Sequence, residues 1–208
     1  MASHPKHFYN PDEYIGIERK AAHKSEYYAG EIFAMSGASR EHNIIVVNVT
    51  TSLNTQLQER DCEVYSSDMR VRTRDKTFYT YPDVAVVCGQ PRFDDVSVDT
   101  LLNPTLIVEV LSPSTERYDR TRKFADYRKI DSLREYVLIA QQECRVTRYV
   151  KQSDGGWLFQ EVSGLEDVMQ LDSINCRLAL QSIYRKVSFP GSYEIAASET
   201  HSLSEQTR

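Results

Sequence analysis

Two carboxylates stand where apolar strands should carry none: Asp83 in YTYPDVAVV and Glu109 in TLIVEVLSPST. Runs of Val, Ile, Leu and Ala bounded by Pro, Gly or Ser read as strands covered on both faces. A carboxylate buried in such a run without a partner is costly, so each acid needs a counterpart. If the two strands are neighbours, as short connections favour, the acids can converge at one end of the sheet. Converging carboxylates repel unless a proton or a cation lies between them. An oxygen-only site of this kind suits magnesium, which takes few protein ligands and keeps several waters. The next segment, ERYDRTRKFADYRKI, carries Arg117, Arg120, Arg122, Lys123, Arg128 and Lys129. A cationic helix beside two carboxylates supplies a third ingredient for chemistry on a phosphodiester.

The elements that must position these groups follow from local pattern. Side chains alternate along a strand, so Leu106, Val108 and Val110 share one face and Ile107, Glu109 and Leu111 the other. Pro82 pushes Tyr81 to an extended conformation, and a strand follows as 84–87. Ser114 or Thr115 can cap the basic helix, with Glu116 favourable in its first turn; Lys123 and Tyr127, four apart, share a face. Upstream, NPDEYIGIERK reads as a short helix with Pro11 after an Asn10 cap, and SEYYAGEIFAMS as a hairpin turning at Ala29 and Gly30. The segment from Ser39 to Arg60 is the longest helical pattern, with Ile45, Val49, Leu53 and Leu57 near helical spacing despite its β-branched content. CEVYSSDMRVRT and TFYTYPDVAVVCG supply strands around a turn at 74–76, and GQPRFDDVSVDTLLNP is a surface loop. REYVLIA, CRVTRYVKQ and GWLFQEVS are strand patterns, and INCRLALQSIYRKV holds a closing strand and a short helix. The sum is an α/β fold, a mixed β-sheet flanked by helices.

PD leading into an apolar strand, then Glu inside VEVLSPST, then a helix with Lys and Tyr, resembles the PD-(D/E)XK nuclease superfamily. More closely, the chain is similar to the Uma family of restriction-endonuclease-like proteins, from about Tyr28 to about Val150, through GEIFAMS with the following His42, PDVAVV, IVEVLSPST and RKFADY. The resemblance implies a restriction-endonuclease-like fold and a Mg2+-dependent endonuclease acting on DNA, with Mn2+ as a substitute and a homodimer as the assembly. It assigns Asp83, Glu109 and Lys123 to catalysis. The cation is assigned to Asp83, Glu109 and the backbone carbonyl of Val110, with Glu31 as a second-rank ligand. His42 and Tyr127 fall beside these groups, and Arg117, Arg120 and Arg122 are candidates for DNA contact. The superfamily's usual Lys lies two residues after the second acid, where this chain has Leu111. The family pattern points to Lys123 in the following helix instead, whereas the sequence alone equally nominates Arg120 or Arg122. Taken singly, Asp83 also reads as a turn-capping residue after proline and Lys123 as a solvated helix charge; His42 fits a structural hydrogen bond as well as a site role.

Composition bounds these readings. A chain of 208 residues, 40% hydrophobic, fits one domain with a sizeable core: an N-terminal segment at 1–24, the nuclease-like domain at 25–189 and a polar, disordered tail at 190–208. The formal charge of -5 confines any DNA surface to a local patch, the basic helix or Arg70, Arg72 and Arg74. Cys62, Cys88, Cys144 and Cys176 are widely spaced with no CxxC pair, and read as separate core thiols. No signal-peptide pattern follows Met1, and no apolar run approaches the ~20 residues of a membrane span. The expected compartment is the cytoplasm, with no membrane partner. Two other classes fit less of the pattern: a nuclease-fold module that binds DNA or protein and cleaves weakly, and a metal-free carboxylate-pair hydrolase of sugars.

Overall fold

A computed structural model describes residues 7–190 of the chain; the tail expected to be disordered lies, beyond Pro190, outside the described residues. The N-terminal helix α1 (Pro11–Glu18) opens with a capping box, Asn10 accepting from the Glu13 N–H while Glu13 accepts from the Asn10 N–H. The hairpin β1 (Ser25–Tyr28) and β2 (Glu31–Ala34) turns at Ala29 and Gly30, both with positive φ. Helix α2 (Arg40–Leu57) begins where Ser39 accepts the His42 N–H, and its Ile45, Val49, Leu53 and Leu57 are fully buried or nearly so. Burying that stripe, at roughly 1.5–3 kcal/mol per large aliphatic side chain, outweighs the modest helix propensity of its Val, Ile and Thr residues.

Strands β3 (Cys62–Ser66), β6 (Val84–Cys88), β8 (Leu106–Leu111), β9 (Glu135–Ala140), β10 (Val146–Lys151) and β11 (Trp157–Val162) form the central mixed sheet in the order β11-β10-β9-β8-β6-β3. Only β8 and β9 run parallel in it, linked by the helical segment at 116–127. Helix α2 covers one face against Val84, Val86, Val108 and Val110. Tyr127, Ile130 and Leu133 cover the other, against Ala85, Val87, Ile107 and Leu138. The expected architecture is therefore present.

Three features depart from expectation. The hairpin does not extend the central sheet: with β4 (Arg70–Arg72), β5 (Phe78–Thr80) and β7 (Thr100–Leu101) it builds a second, five-stranded sheet. A further strand, β12 (Val168–Leu171), pairs with β13 (Cys176–Ala179) ahead of the short helix α5 (Leu180–Ile183). And Cys62 and Cys88, expected as separate thiols, are joined by a disulfide, because the antiparallel register of β3 and β6 sets them directly opposite each other; Cys144 and Cys176 are free. Among the described residues, no helix is long and apolar enough to cross a membrane.

Candidate active site

The central acids meet because of one register. In the antiparallel pair β6 and β8, Val84 lies opposite Val108, so one step further Asp83 lies opposite Glu109. Glu109, alternating with Ile107 and Leu111, points to the face beneath the basic helix, and Asp83 reaches the same end of the sheet just ahead of β6, both lining one cavity. Asp83 Oδ2 accepts the N–H of Val110 at 2.7 Å and lies 3.1 Å from His42 Nε2. The same capping that starts α2 thus delivers His42 from the opposite layer to the strand end, while Ser39 donates to Gln141 Oε1 at 2.7 Å.

Glu109 is 4% exposed. Its Oε1 accepts from the Tyr127 hydroxyl at 2.7 Å and from Lys123 Nζ at 2.9 Å. The basic helix brings both groups to it by an unusual route. An α-helical turn, α3 (Glu116–Tyr118), passes into a π-helical segment at Asp119–Lys123 and back into α4 (Phe124–Tyr127), and such widened turns are frequent at functional sites. The π segment turns Asp119 and Lys123 inward, each largely buried, and Lys123 Nζ lies 3.7 Å from Asp119 Oδ1. It also lies 3.2 Å from Glu26 Oε1.

Glu26, Asp83, Glu109, Asp119, Lys123 and His42 line one cavity of ≈ 800 Å³, whose remaining wall comes largely from the 35–39 and 112–115 loops. Glu31, by contrast, is not in this lining; it sits at the turn end of the hairpin, opposite Tyr28, and the hairpin acid that does line the cavity is Glu26 from β1. Arg117, Arg120 and Arg122 do not line the cavity either. Arg120 Nε donates to Glu116 at 2.8 Å, the Arg122 guanidinium lies 3.6 Å from the Tyr28 ring centroid, and Arg117 is exposed. Two residues of the expected basic patch are turned inward: Arg70 bonds Thr100, Tyr81 and Asp99, and Arg72 bonds Asp94. Arg74 remains exposed.

Charge in the cavity is unbalanced: Lys24 and Asp68 at its edge pair with each other, and the inner wall sets Glu26, Asp83, Glu109 and Asp119 around the single ammonium of Lys123. Burial pushes the Glu109 carboxyl up to about 8, with Asp83 and Asp119 adding to the shift and Lys123 and Tyr127 opposing it. Burial likewise raises Asp119. Burial presses Lys123 downward, but Glu109, Glu26 and Asp119 outweigh it and hold the amine well above the usual lysine range, as an ammonium. A site with this excess favours a proton or a cation. Among the described residues, no group of three or more His, Cys, Asp and Glu is arranged to hold a metal. The Asp83 and Glu109 carboxylates in the cavity lining are instead an all-oxygen pair, of a kind that fits a hard ion retaining most of its waters.

The family model described as Uma2, putative restriction endonuclease, matches residues 11–181. The chain belongs to this family. Among relatives of this Uma2 chain, uncharacterized protein slr1290 of Synechocystis is 38% identical over 180 residues, covering 86% of this chain and 93% of the relative. Uncharacterized protein sll1609 of the same organism is 41% identical over 152 residues, covering 73% and 86% respectively. A crystal structure of a putative nuclease belonging to DUF820 from Anabaena variabilis superposes with a TM-score of 0.70 at 19% identity, over 85% of this chain and 97% of that one. At that identity the likeness establishes the fold. In this Uma2 chain Leu111 is buried in the apolar cluster beneath the basic helix, and the position near Glu109 is filled by Lys123 from that helix.

Proposed function

We propose that this protein is a metal-dependent endonuclease that hydrolyses DNA phosphodiester bonds. The observation that carries the reading is the opposed pair Asp83 and Glu109 on one cavity wall, with Lys123 Nζ 2.9 Å from Glu109. Asp83, Glu109 and the Val110 carbonyl would hold a divalent cation, Mg2+ with Mn2+ as a substitute, which when bound supplies charge neutralisation at phosphate and a more acidic water. Lys123, an ammonium at working pH, offsets charge developing on the phosphate oxygens and orients the attacking water; it does not take the proton. His42 holds Asp83 from one side and the Val110 N–H from the other, and Tyr127 fixes the rotamer of Glu109. Cutting both strands of a duplex would engage two copies, so a homodimer belongs to the same proposal.

The test is cleavage of plasmid and single-stranded DNA with Mg2+, Mn2+ or chelator, comparing wild type with Glu109→Ala. The expected result is cleavage that needs the ion and falls at least about a thousandfold in the variant, the scale of losing a principal electrostatic group. Cleavage that survives both chelator and substitution rules the mechanism out. A second reading is favoured by Lys123 being within ion-pair reach of three carboxylates already: a nuclease-fold module that binds DNA or protein and cleaves weakly. It predicts that Asp83→Ala leaves any cleavage unchanged.

A further inference from the structure

The acid that sequence patterning passes over is Glu26. Along β1, Ser25 and Tyr27 are buried on the side of α1, where Tyr27 stacks on Tyr14 at 5.1 Å. Alternation turns Glu26 and Tyr28 to the other side, towards the basic helix. There Glu26 is held from two directions before it meets the lysine: Oε1 accepts from the Thr80 hydroxyl on β5, and Oε2 from the Tyr118 hydroxyl at 3.2 Å. Its side chain is 12% exposed. Lys123 Nζ therefore sits between two preset carboxylates, 2.9 Å from Glu109 and 3.2 Å from Glu26.

We propose that Glu26 is a positioning residue of the site, sharing the Lys123 ammonium with Glu109 so that Glu109 can take a divalent cation while Lys123 stays buried and paired. The inference rests on the metal reading above. Its physical basis is the cost of stranding a charge. An ammonium that is 6% exposed and paired with Glu109 alone would have to be left uncompensated when a cation claimed that carboxylate, a penalty of the kind seen when one partner of a buried pair is removed. With Glu26 and Asp119 also in reach, Lys123 gives up one contact of three. Without Glu26, a cation competes against a lysine that has fewer places to go.

The experiment is calorimetric titration of Mn2+ into the full chain without DNA, for wild type, Glu26→Gln, Lys123→Met and the double variant. Glutamine is near-isosteric; its carbonyl oxygen still accepts from the Thr80 hydroxyl, and its amide NH2 can donate to the Tyr118 hydroxyl oxygen in place of the bond that Glu26 accepted, so the fold should persist, checked by melting. The expected result is Mn2+ binding about tenfold weaker in Glu26→Gln, and a loss of less than about threefold when the same substitution is made in the Lys123→Met background. Unchanged binding in Glu26→Gln overturns the proposal. So does an equal loss in both backgrounds, which would mean that Glu26 acts only through net charge. Should Glu26→Gln not fold, Tyr118→Phe removes one anchor of Glu26 with all charges kept; weakening by about twofold to threefold supports the proposal, and none overturns it. Wild type that takes no Mn2+ at millimolar concentration counts against the metal reading itself. Sharing of the lysine is then judged by denaturant unfolding of the same four proteins, where a coupling of about tenfold in the folding constant supports it and strict additivity overturns it.

Discussion

Glu109 and Glu135 look alike in the sequence, and the molecule treats them differently. Both sit in apolar strands of the same parallel pair, β8 and β9, and both are buried, at 4% and 0% exposed. Glu135 is matched. Its Oε1 accepts the N–H groups of Asp172 and Ser173 at 3.0 and 3.3 Å and meets Arg148 at 3.2 Å. Arg148 is held in turn by Gln160, the Gln170 carbonyl and Asp172. One buried guanidinium answers one buried carboxylate, and the planar fork spans the strands it joins. Around Glu109 the count is uneven, with Glu26, Asp83, Glu109 and Asp119 gathered about Lys123 alone, and the cluster opens onto a cavity. A lone acid in an apolar strand therefore announces a partner without saying which kind; surplus charge beside open space is what marks the site.

The most direct way to break this contrast is to neutralise each glutamate. Glu109→Gln should lower ion-dependent cleavage by about a thousandfold while leaving the melting temperature unchanged or higher, because it relieves an excess of buried negative charge. Glu135→Gln should do the opposite. Leaving Arg148 buried without its partner should cost about 3 kcal/mol, read by denaturant unfolding, with cleavage per folded molecule unchanged. If Glu135→Gln abolished cleavage without loss of stability, the two regions would not be separable in this way.

Titration sharpens the same comparison. The Glu109 carboxyl, raised to about 8 from an ordinary 4.5, binds its proton more tightly in the folded chain than in the unfolded one. Between those values the folded state holds more protons, so this group's contribution to stability falls as pH rises. Lys123, raised above the lysine range by its carboxylates, contributes stability that persists through this window and is lost only above it. Wild type should therefore lose melting temperature relative to Glu109→Gln from about pH 4.5 to about pH 8. Burial raises the Glu135 carboxyl as well, giving a slope of the same sign. Millimolar Mg2+ should flatten the Glu109 slope, since a bound cation favours the ionised carboxylate, and leave the Glu135 slope in place.

What the sequence disclosed follows the range of the interactions involved. Caps at Asn10 and Ser39, the hairpin turn at Ala29 and Gly30, and the stripe from Ile45 to Leu57 are local, and each was readable. Asp83 and Glu109 were readable as acids out of place, and strand alternation with neighbouring strands was enough to bring them together. Lys123 needed the family pattern, because a basic helix offers several cations and only a π segment decides which one turns inward. Glu26 was hidden. Two acids lie on the hairpin, and which of them reaches the cavity depends on the hairpin joining β5 in a second sheet, a contact 50 residues away in the chain. The same limit applies to Cys62 and Cys88, whose meeting is a matter of register, and to Arg70 and Arg72, whose partners Asp99 and Asp94 come from the following loop.

The smallest expected effect tests whether Arg148 is held by its buried partner or by the wider network. Asp172 Oδ2 lies 2.9 Å from Arg148 Nη2, but its side chain is 71% exposed, so water screens the pair and replaces it readily. Such a contact is worth less than about 1 kcal/mol. Asp172→Asn keeps the backbone N–H that Glu135 accepts and removes only the rim charge. It should shift the unfolding midpoint by less than about 1 kcal/mol equivalent, with cleavage unaffected. A loss approaching that of Glu135→Gln would show the arginine to be shared between two carboxylates, as Lys123 is, and the balanced region would then resemble the unbalanced one in everything but its lack of a cavity.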